Sequence, residues 1–544
     1  MRTTILVPIL SRGRHGWQER RCAALLASVA AVSAITVFTR AAAQGVLPAY
    51  GADVRVGDLR KQFENAMESG PKTLSDRRWN FSPSIELSET YDSAVLLPRG
   101  RGRDFITRIT PIFAGTLDAQ RLKGALAYSP SYNLYALHRA ESGFTHDLNA
   151  NLAATLVPDL LFTDLRGYAA TQPLLGYAVP STGSSGRVNE VQTSHFSAAP
   201  YLQKRFGDFA ILNAGYTISQ TSRSPLAPQS TLTLTDGTTG NFSSQHEAVS
   251  IATGPDFGRI KGSLAAMAAQ YDGSGVYRGA HSETVTAAAG YALTRTVTAT
   301  GSLGHETIIY GPGGPKKIDG LTWSAGVVLT PNPDSAITAK YGRQQGASSF
   351  SFDGTYAPSA RIRLLARYSQ GVGTDLQNLQ NALAGTVSGP AGVAVDRASG
   401  APVQLGNLLN QQPGVYRSTV ASVSGVYLLD RDVITLDWSN SEYVLLSGGG
   451  GSGFGSNTSM NTAAIWKHLI SEVFTTSASL QYGVRSAPLL KTDTTTTAVS
   501  VSAQYLLSET LSINILISHM VSTGQTFGFA PVRDLVVVGL RKAF

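Results

Sequence analysis

The sequence predicts an all-β protein: a transmembrane, antiparallel, up-and-down β-barrel of about 22 strands, within a range of roughly 18 to 26, with both termini in the periplasm. Three observations predict it. Apolar and polar residues alternate with a period of two over segments of about 10 to 14 residues, the length a tilted strand needs to cross a bilayer. The connections between these segments alternate long and short. The composition suits neither a soluble domain nor a helical membrane protein. Only 15% of the 544 residues are charged, against roughly 25% in soluble domains. Yet no run of about 18 apolar residues follows position 43.

The first 43 residues read as a secretory signal. Arg2, Arg12, Arg14, Arg20 and Arg21 precede an apolar stretch from Cys22 to Phe38, and Ala41-Ala42-Ala43-Gln44 offers a small-residue cleavage site after Ala43. An uncleaved N-terminal anchor is the rival reading. Cys22 is the only cysteine, so disulfides and thiolate metal sites are not expected in the processed chain. The leader holds six Arg and one Glu, a net +5 of the overall +8, which leaves +3. That balance gives no reason to expect nucleic-acid binding. Residues 44–78 form a separate periplasmic segment. Asp58, Leu59, Phe63, Ala66 and Met67 trace a short amphipathic helix. It is either a docking element or lumen cover, or a loosely ordered lead-in.

The barrel is expected over 79–544. Phe144, His146, Leu148, Ala150, Leu152, Ala154 and Leu156 share one face of a strand, and Thr145, Asp147, Asn149, Asn151, Ala153 and Thr155 the other. Phe474 to Val484 and Ala498 to Tyr505 alternate in the same way. Segments start near Trp79, Asp104, Arg121, Phe144, Leu161, Glu190, Asp208, Phe242, Gly258, His281, Thr296, Gly320, Ser335, Ser348, Ala360, Tyr416, Asp432, Thr458, Ser471, Thr492, Glu509 and Pro531. Short connections fall at 157–160, 206–209, 331–334, 357–359 and 429–432. Long ones fall between them, at 92–103, 174–189, 223–241, 310–319, 370–415 and 447–457. Bacterial barrels put short turns in the periplasm and long loops outside. Tyr91, Tyr128, Tyr132, Tyr168, Tyr177, Tyr201, Tyr271, Tyr291, Tyr368, Tyr427 and Tyr482 recur near strand ends, as interfacial girdles require. The chain ends on Phe544 with Gly539 five residues earlier. Outer-membrane proteins resemble this at their C-termini, where the barrel-assembly machinery reads a Gly and a terminal aromatic. Here Lys542 and Val537 depart from that pattern.

No constellation points to catalysis, so no enzyme activity is expected. The nine histidines are scattered, with no ligand-like spacing, and no metal or other cofactor is expected. There is no nucleophile elbow and no P-loop, and Gly448 to Gly455 reads as a flexible outer loop. Arg361, Arg363 and Arg367 share a strand face opposite Ile362, Leu364, Ala366 and Tyr368, which would place them in the lumen. Arg108, Lys123, Lys340, Arg343 and Arg485 are further lumen candidates. Such a set is either a basic stripe that guides anionic solutes or half of an ion-pair network with acids such as Glu86, Asp147 and Asp437. The 370–415 connection carries Leu376, Leu379, Leu383 and Ala384 at helical spacing. It either folds inward and narrows the pore or stands outside.

The stretches Trp79-Asn80-Phe81-Ser82-Pro83-Ser84-Ile85-Glu86-Leu87-Ser88-Glu89-Thr90-Tyr91, Asp104-Phe105-Ile106-Thr107-Arg108-Ile109-Thr110-Pro111 and Ala199-Pro200-Tyr201-Leu202-Gln203-Lys204-Arg205-Phe206-Gly207 resemble the outer-membrane proteins associated with PEP-CTERM and exopolysaccharide systems. More loosely, they resemble the β-barrel porin 2 group. The family has an Asp-Asn pair after the first Tyr, where this chain has Asp92-Ser93. The resemblance implies a barrel in the Gram-negative outer membrane linked to envelope polysaccharide, and it transfers no catalytic residue. The expected partners are outer-membrane lipid, the assembly machinery, and polysaccharide or export components. The expected function is a porin-like conduit, with a non-conducting scaffold barrel as the alternative. A TonB-dependent receptor would carry a plug of over a hundred residues, and about 35 precede Trp79 in the expected processed chain.

Overall fold

A computed structural model of the protein describes residues 79–95, 102–173, 190–226, 240–315, 317–374, 376–378, 380, 386–388, 394–396, 414–447, 456–486, 493–523 and 532–544. The expected leader (1–43), the periplasmic segment (44–78), Tyr177 and Gly448 to Gly455 lie outside them.

The strands are β1 (Trp79–Asp92), β2 (Asp104–Asp118), β3 (Leu122–Tyr135), β4 (Gly143–Val157), β5 (Leu161–Pro173), β6 (Glu190–Phe206), β7 (Ala210–Pro225), β8 (Gly240–Thr253), β9 (Ile260–Asp272), β10 (His281–Ala292), β11 (Val297–Ile309) and β12 (Ile318–Leu329). They continue with β13 (Ala336–Gln344), β14 (Ala347–Ser359), β15 (Ile362–Gly373), the two short strands β16 (Thr386–Ser388) and β17 (Ala394–Asp396), β18 (Val415–Leu428), β19 (Asp432–Ser447), β20 (Asn457–Ser471), β21 (Phe474–Ser486), β22 (Thr494–Ser508), β23 (Leu511–Thr523) and β24 (Val532–Ala543). All but β16 and β17 join one 22-stranded antiparallel sheet, in which each strand pairs with its neighbour in the chain, β15 pairs with β18, and β1 pairs with β24. The sheet is therefore closed. Closure leaves no edge and satisfies every ladder group without water, which is the condition for a sheet to sit in hydrocarbon. All 22 barrel strands begin within three residues of the positions predicted from alternation. β16 and β17, which pair only with each other, were not predicted.

Alternation sets the two faces. Leu87, Leu134, Phe144, Phe196, Leu303, Leu321, Leu436, Leu480, Val501 and Ile517 stand exposed on the outside, a surface that water would oppose and lipid covers. The alternate positions are short and polar, and they face the lumen. Tyr91, Tyr132 and Tyr482 near one rim, and Tyr291 and Tyr427 near the other, point outward as a girdle requires. Tyr168, Tyr201 and Tyr271 do not. Their register partners Asn149, Phe162 and Ser244 are lumen-facing, so these three tyrosines turn inward.

The two rims differ as the connection lengths demand. The connections at one end of the barrel are all short, and that end also holds the start of β1 and the end of β24. Asp159 and Gly207 sit in two of these turns with φ of 58° and 57°, the left-handed conformation a tight reversal needs. The opposite rim carries the long connections, with one exception. β13 and β14 join there through Gln345 and Gly346 alone, with φ of 51° and 73°. Positive φ at both central residues is the type I′ signature.

Asp92 and Ser93, at the long-loop end of β1, hold the closing pair of strands together. Arg533 of β24 meets the Asp92 carboxylate with Nε at 3.0 Å and Nη2 at 2.5 Å. Both side chains are buried, at 3% and 0% exposure. Ser93 donates its backbone N–H to the Asp534 carbonyl at 3.0 Å and accepts the Asp534 N–H at Oγ, 2.8 Å away. At the other end Phe544 donates its N–H to the Pro83 carbonyl (3.0 Å), and Arg541 Nε donates to Ser84 Oγ (3.0 Å). Gly539 faces the lumen beside Glu86 and Ser88, and the Phe544 ring is exposed.

Candidate functional site: a segment spanning the lumen

A ring of 22 strands about 4.8 Å apart and tilted by about 40° is roughly 40 Å across between opposing walls. In an open tube of that bore the polar wall would be solvated. Much of this wall is not. On β1 to β8, in the half nearer the long-loop rim, Thr90, Thr110, Ser131, Asn133, Thr145, Asn149, Arg166, Thr193, His195, Ser219, Thr221, Arg223 and Ser244 are all buried. On β10 to β15 nearly all lumen-facing side chains keep partial exposure.

The connection between β15 and β18 accounts for part of this cover. Thr374 starts a helix immediately after β15. The Gln377 N–H donates to Thr374 Oγ1 (3.1 Å), and the Thr374 N–H donates to Gln377 Oε1 (2.9 Å). This reciprocal pair is a capping box, read from Thr-x-x-Gln. Residues 376–378 and 380 are helical, and the Asn378 N–H reaches the Thr374 carbonyl at 3.0 Å. The helix lies inside the barrel. Tyr277, in the β9–β10 connection, donates its hydroxyl to Thr374 Oγ1 (2.6 Å), and its ring stacks on Phe242 at 4.5 Å. Gln380 Nε2 donates to Ser219 Oγ (2.8 Å) and Thr221 Oγ1 (3.0 Å) on β7, and its Oε1 accepts from Ser244 Oγ (3.3 Å) on β8. Ser219 sits six residues below the end of β7, so the contact is made within the tube. Further on, β16 lies against β3 and β4. β4 is eleven places from β15 in the 22-strand ring, half the circumference. The segment therefore starts on one wall, is clipped to a second sector at β7–β8, and reaches the wall opposite its origin. Of the two courses the sequence left open, the inward one is found.

The basic candidates are distributed more widely than a stripe. Arg108, Lys340, Arg363, Arg367 and Arg485 all occupy lumen positions of β2, β13, β15 and β21, and Arg361 lies in the turn before β15. Only those on β13 and β15 are close in the ring. Several are paired. Arg367 Nε meets Asp353 at 2.8 Å, Arg361 meets Asp430 at 3.2 Å, and Arg108 Nε donates to Asn133 Oδ1 at 2.6 Å. Asp437 accepts from Ser424. Lys123 pairs with Asp118 at the short-turn rim. Arg343 is a correction. It pairs with Trp323 in register and faces outward, because β13 enters the sheet with Lys340 and Gly342 inward. The residues that define the spanning segment, Thr374, Gln377 and Gln380, carried one legible signal, the capping box. No helix among the described residues is long and apolar enough to cross a membrane, and none of their His, Cys, Asp and Glu side chains form a metal-binding group.

No protein-family model and no curated protein sequence matches this chain. Among solved structures it is similar to the ferric-catecholate import receptor Fiu from E. coli K12. That similarity has 11% identity, covers 87% of this chain and 82% of that one, and has a TM-score of 0.45. It is also similar to the FrpB iron transporter from Neisseria meningitidis, at 9% identity, 89% and 84% coverage and a TM-score of 0.46. A third similarity is to OccK5 from Pseudomonas aeruginosa, at 9% identity, 86% and 98% coverage and a TM-score of 0.32.

The rest of the lumen wall is a lattice of small hydroxyls. Ser477 bonds to Ser502 (2.6 Å), Ser479 to Ser500 (2.7 Å), Ser302 to Ser324 (2.6 Å) and Thr110 to Ser131 (2.8 Å) across neighbouring strands. Such a surface can exchange hydrogen bonds with a hydroxylated solute at little net cost, because each bond made replaces one to water.

Proposed function

We propose that this chain is a Gram-negative outer-membrane conduit for hydrophilic solutes, exported by its N-terminal signal and narrowed by the 374–414 connection, with the short-turn rim in the periplasm. The observation that carries the reading is the Gln380 clip, which holds the described start of that connection, Thr374 to Gln380, against the inner wall. The serine-rich wall and the resemblance to exopolysaccharide-associated barrels direct the choice of solute to polysaccharide. Transport in this reading is passive.

Single-channel recording in planar bilayers tests this. The intact protein is expected to give a small, steady conductance, reduced by added oligosaccharide. Replacement of 375–413 by a short Gly-Ser linker is expected to raise the conductance several-fold. The buried wall of β1 to β8 also favours a second reading, a non-conducting scaffold barrel. Silence from both proteins, correctly folded, would establish that reading and end the first.

A further inference from the structure

The clip on Gln380 is framed by two histidines. Thr221 Oγ1 is 2.9 Å from His195 Nδ1, and Ser244 Oγ is 3.0 Å from His246 Nε2. Ser219 and Ser244 also bond to each other at 2.7 Å. Thr221, Ser244 and His195 are at most 3% exposed, so the protons of this network can be assigned from its own valences. Ser244 must donate to the Gln380 carbonyl, which has no proton to give. Ser244 therefore accepts from Ser219 and from the His246 Nε2–H. Ser219 and Thr221 accept the two amide protons of Gln380, which leaves the Thr221 hydroxyl proton available to His195 Nδ1. In this arrangement both imidazoles are neutral, and the clip's hydroxyl and amide protons each have an acceptor. A second proton on His246 would fall on Nδ1, which is buried without a hydrogen-bond partner. A second proton on His195 would fall on Nδ1 and turn on the Thr221 oxygen, displacing the hydroxyl proton that bonds there.

The two histidines have different surroundings. The wall facing His195 carries Arg166 and Tyr168 on β5 and Arg223 on β7, with acids at Asp164 on β5 and Glu190 at the rim end of β6. His246 meets Thr217 of β7, the Tyr271 ring of β9 edge-on at 5.7 Å, and the clip itself. No carboxylate among the described residues forms an ion pair with either histidine.

We infer that the clip is an acid-released latch: protonation of His195 and His246 undocks Gln380 and frees the 374–380 segment from the β7–β8 wall. The inference rests on the proposed role of the 374–414 connection in narrowing the lumen. Its sign follows from linkage. The docked state excludes the added proton and the undocked state admits it. Docking is therefore at full strength above the ordinary histidine pKa of about 6.5 and weakens below it, by up to about tenfold per pH unit for each histidine.

The test uses the full chain with a nitroxide at Asn378 (Asn378→Cys in a Cys22→Ser background), read by EPR from pH 7.5 to 4.5 beside bilayer conductance. The label is expected to be immobile at pH 7.5 and to gain mobility below about pH 6, with conductance rising in step. His195→Gln with His246→Gln is expected to abolish the response, and Gln380→Leu to show the mobile spectrum already at pH 7.5. If the double variant does not assemble, each single variant is expected to lose about half of the pH slope. A label that stays immobile to pH 4.5, or histidine variants that respond like the native chain, would overturn the latch. A label that mobilises with acid while no protein conducts would support the latch and defeat the conduit.

Discussion

Two sectors of one wall behave differently. From β1 to β8 the lumen-facing residues near the long-loop rim are buried, and from β10 to β15 they remain partly exposed. The local sequences do not explain this. Thr217, Ser219 and Thr221 on β7 are small lumen-facing residues, as are Thr300, Ser302 and Gly304 on β11. Part of the difference is a cover, clipped on β7 and β8 and resting on β3 and β4. A barrel wall is thus generic in its chemistry and specific in what is laid across it. Part of the asymmetry of this wall comes from one connection between strands.

The comparison breaks most decisively if the cover is removed. Replacing 375–413 by a linker is expected to make a cysteine at Ser219 (Ser219→Cys) react with a water-soluble thiol reagent at least tenfold faster. A cysteine at Ser302, in the open sector, should change little. Equal acceleration at both would show that the cover does not distinguish the sectors. The next effect concerns the seam that carries the covered sector. Asp92→Ala leaves the buried Arg533 guanidinium without its carboxylate and is expected to cost about 3–5 kcal/mol. It would be read as a lower urea midpoint for loss of the heat-modifiable folded band. Asp92→Ala with Arg533→Leu should recover most of that loss.

A smaller change sharpens the comparison. Gln380→Ala strips three hydrogen bonds from the clip and is expected to weaken docking by about 1–3 kcal/mol. Labelling at Ser219→Cys should then lie between the native and excised proteins, with barrel stability unchanged. The smallest effect belongs to the open sector. Arg361 pairs with Asp430 in full exposure, and Arg361→Ala is expected to shift stability by less than about 1 kcal/mol. A larger loss, measured by the same urea titration, would mean that the short-turn rim is held by more than backbone ladders.

These contrasts mark what could be read in advance. The faces of β4, the starts of all 22 barrel strands and the segregation of short turns to one rim followed from period and spacing alone. The lumen placement of Arg363, Arg367, Lys340 and Arg485 followed from parity. Arg343 stands three residues after Lys340 on β13, so the alternation that turns Lys340 inward turns Arg343 outward, and the two could not share the lumen face. The inward turn of Tyr168, Tyr201 and Tyr271 was missed for another reason. Proximity to a strand end does not say which side a ring takes. The capping box at Thr374 and Gln377 was in plain view, but it announces a helix and not where the helix lies.

By itself, then, the sequence determined the tube. Hydrocarbon on one side and water on the other impose a period of two on every crossing segment, and that constraint is local enough to be written in each strand. Only the tertiary structure decided what closes the tube and what crosses it. Asp92 meets Arg533 across 441 residues of chain, and Gln380 meets Ser219 across 161. Each of those contacts joins residues that are unremarkable in their own surroundings, and it exists because the closed sheet brings their strands to the same place.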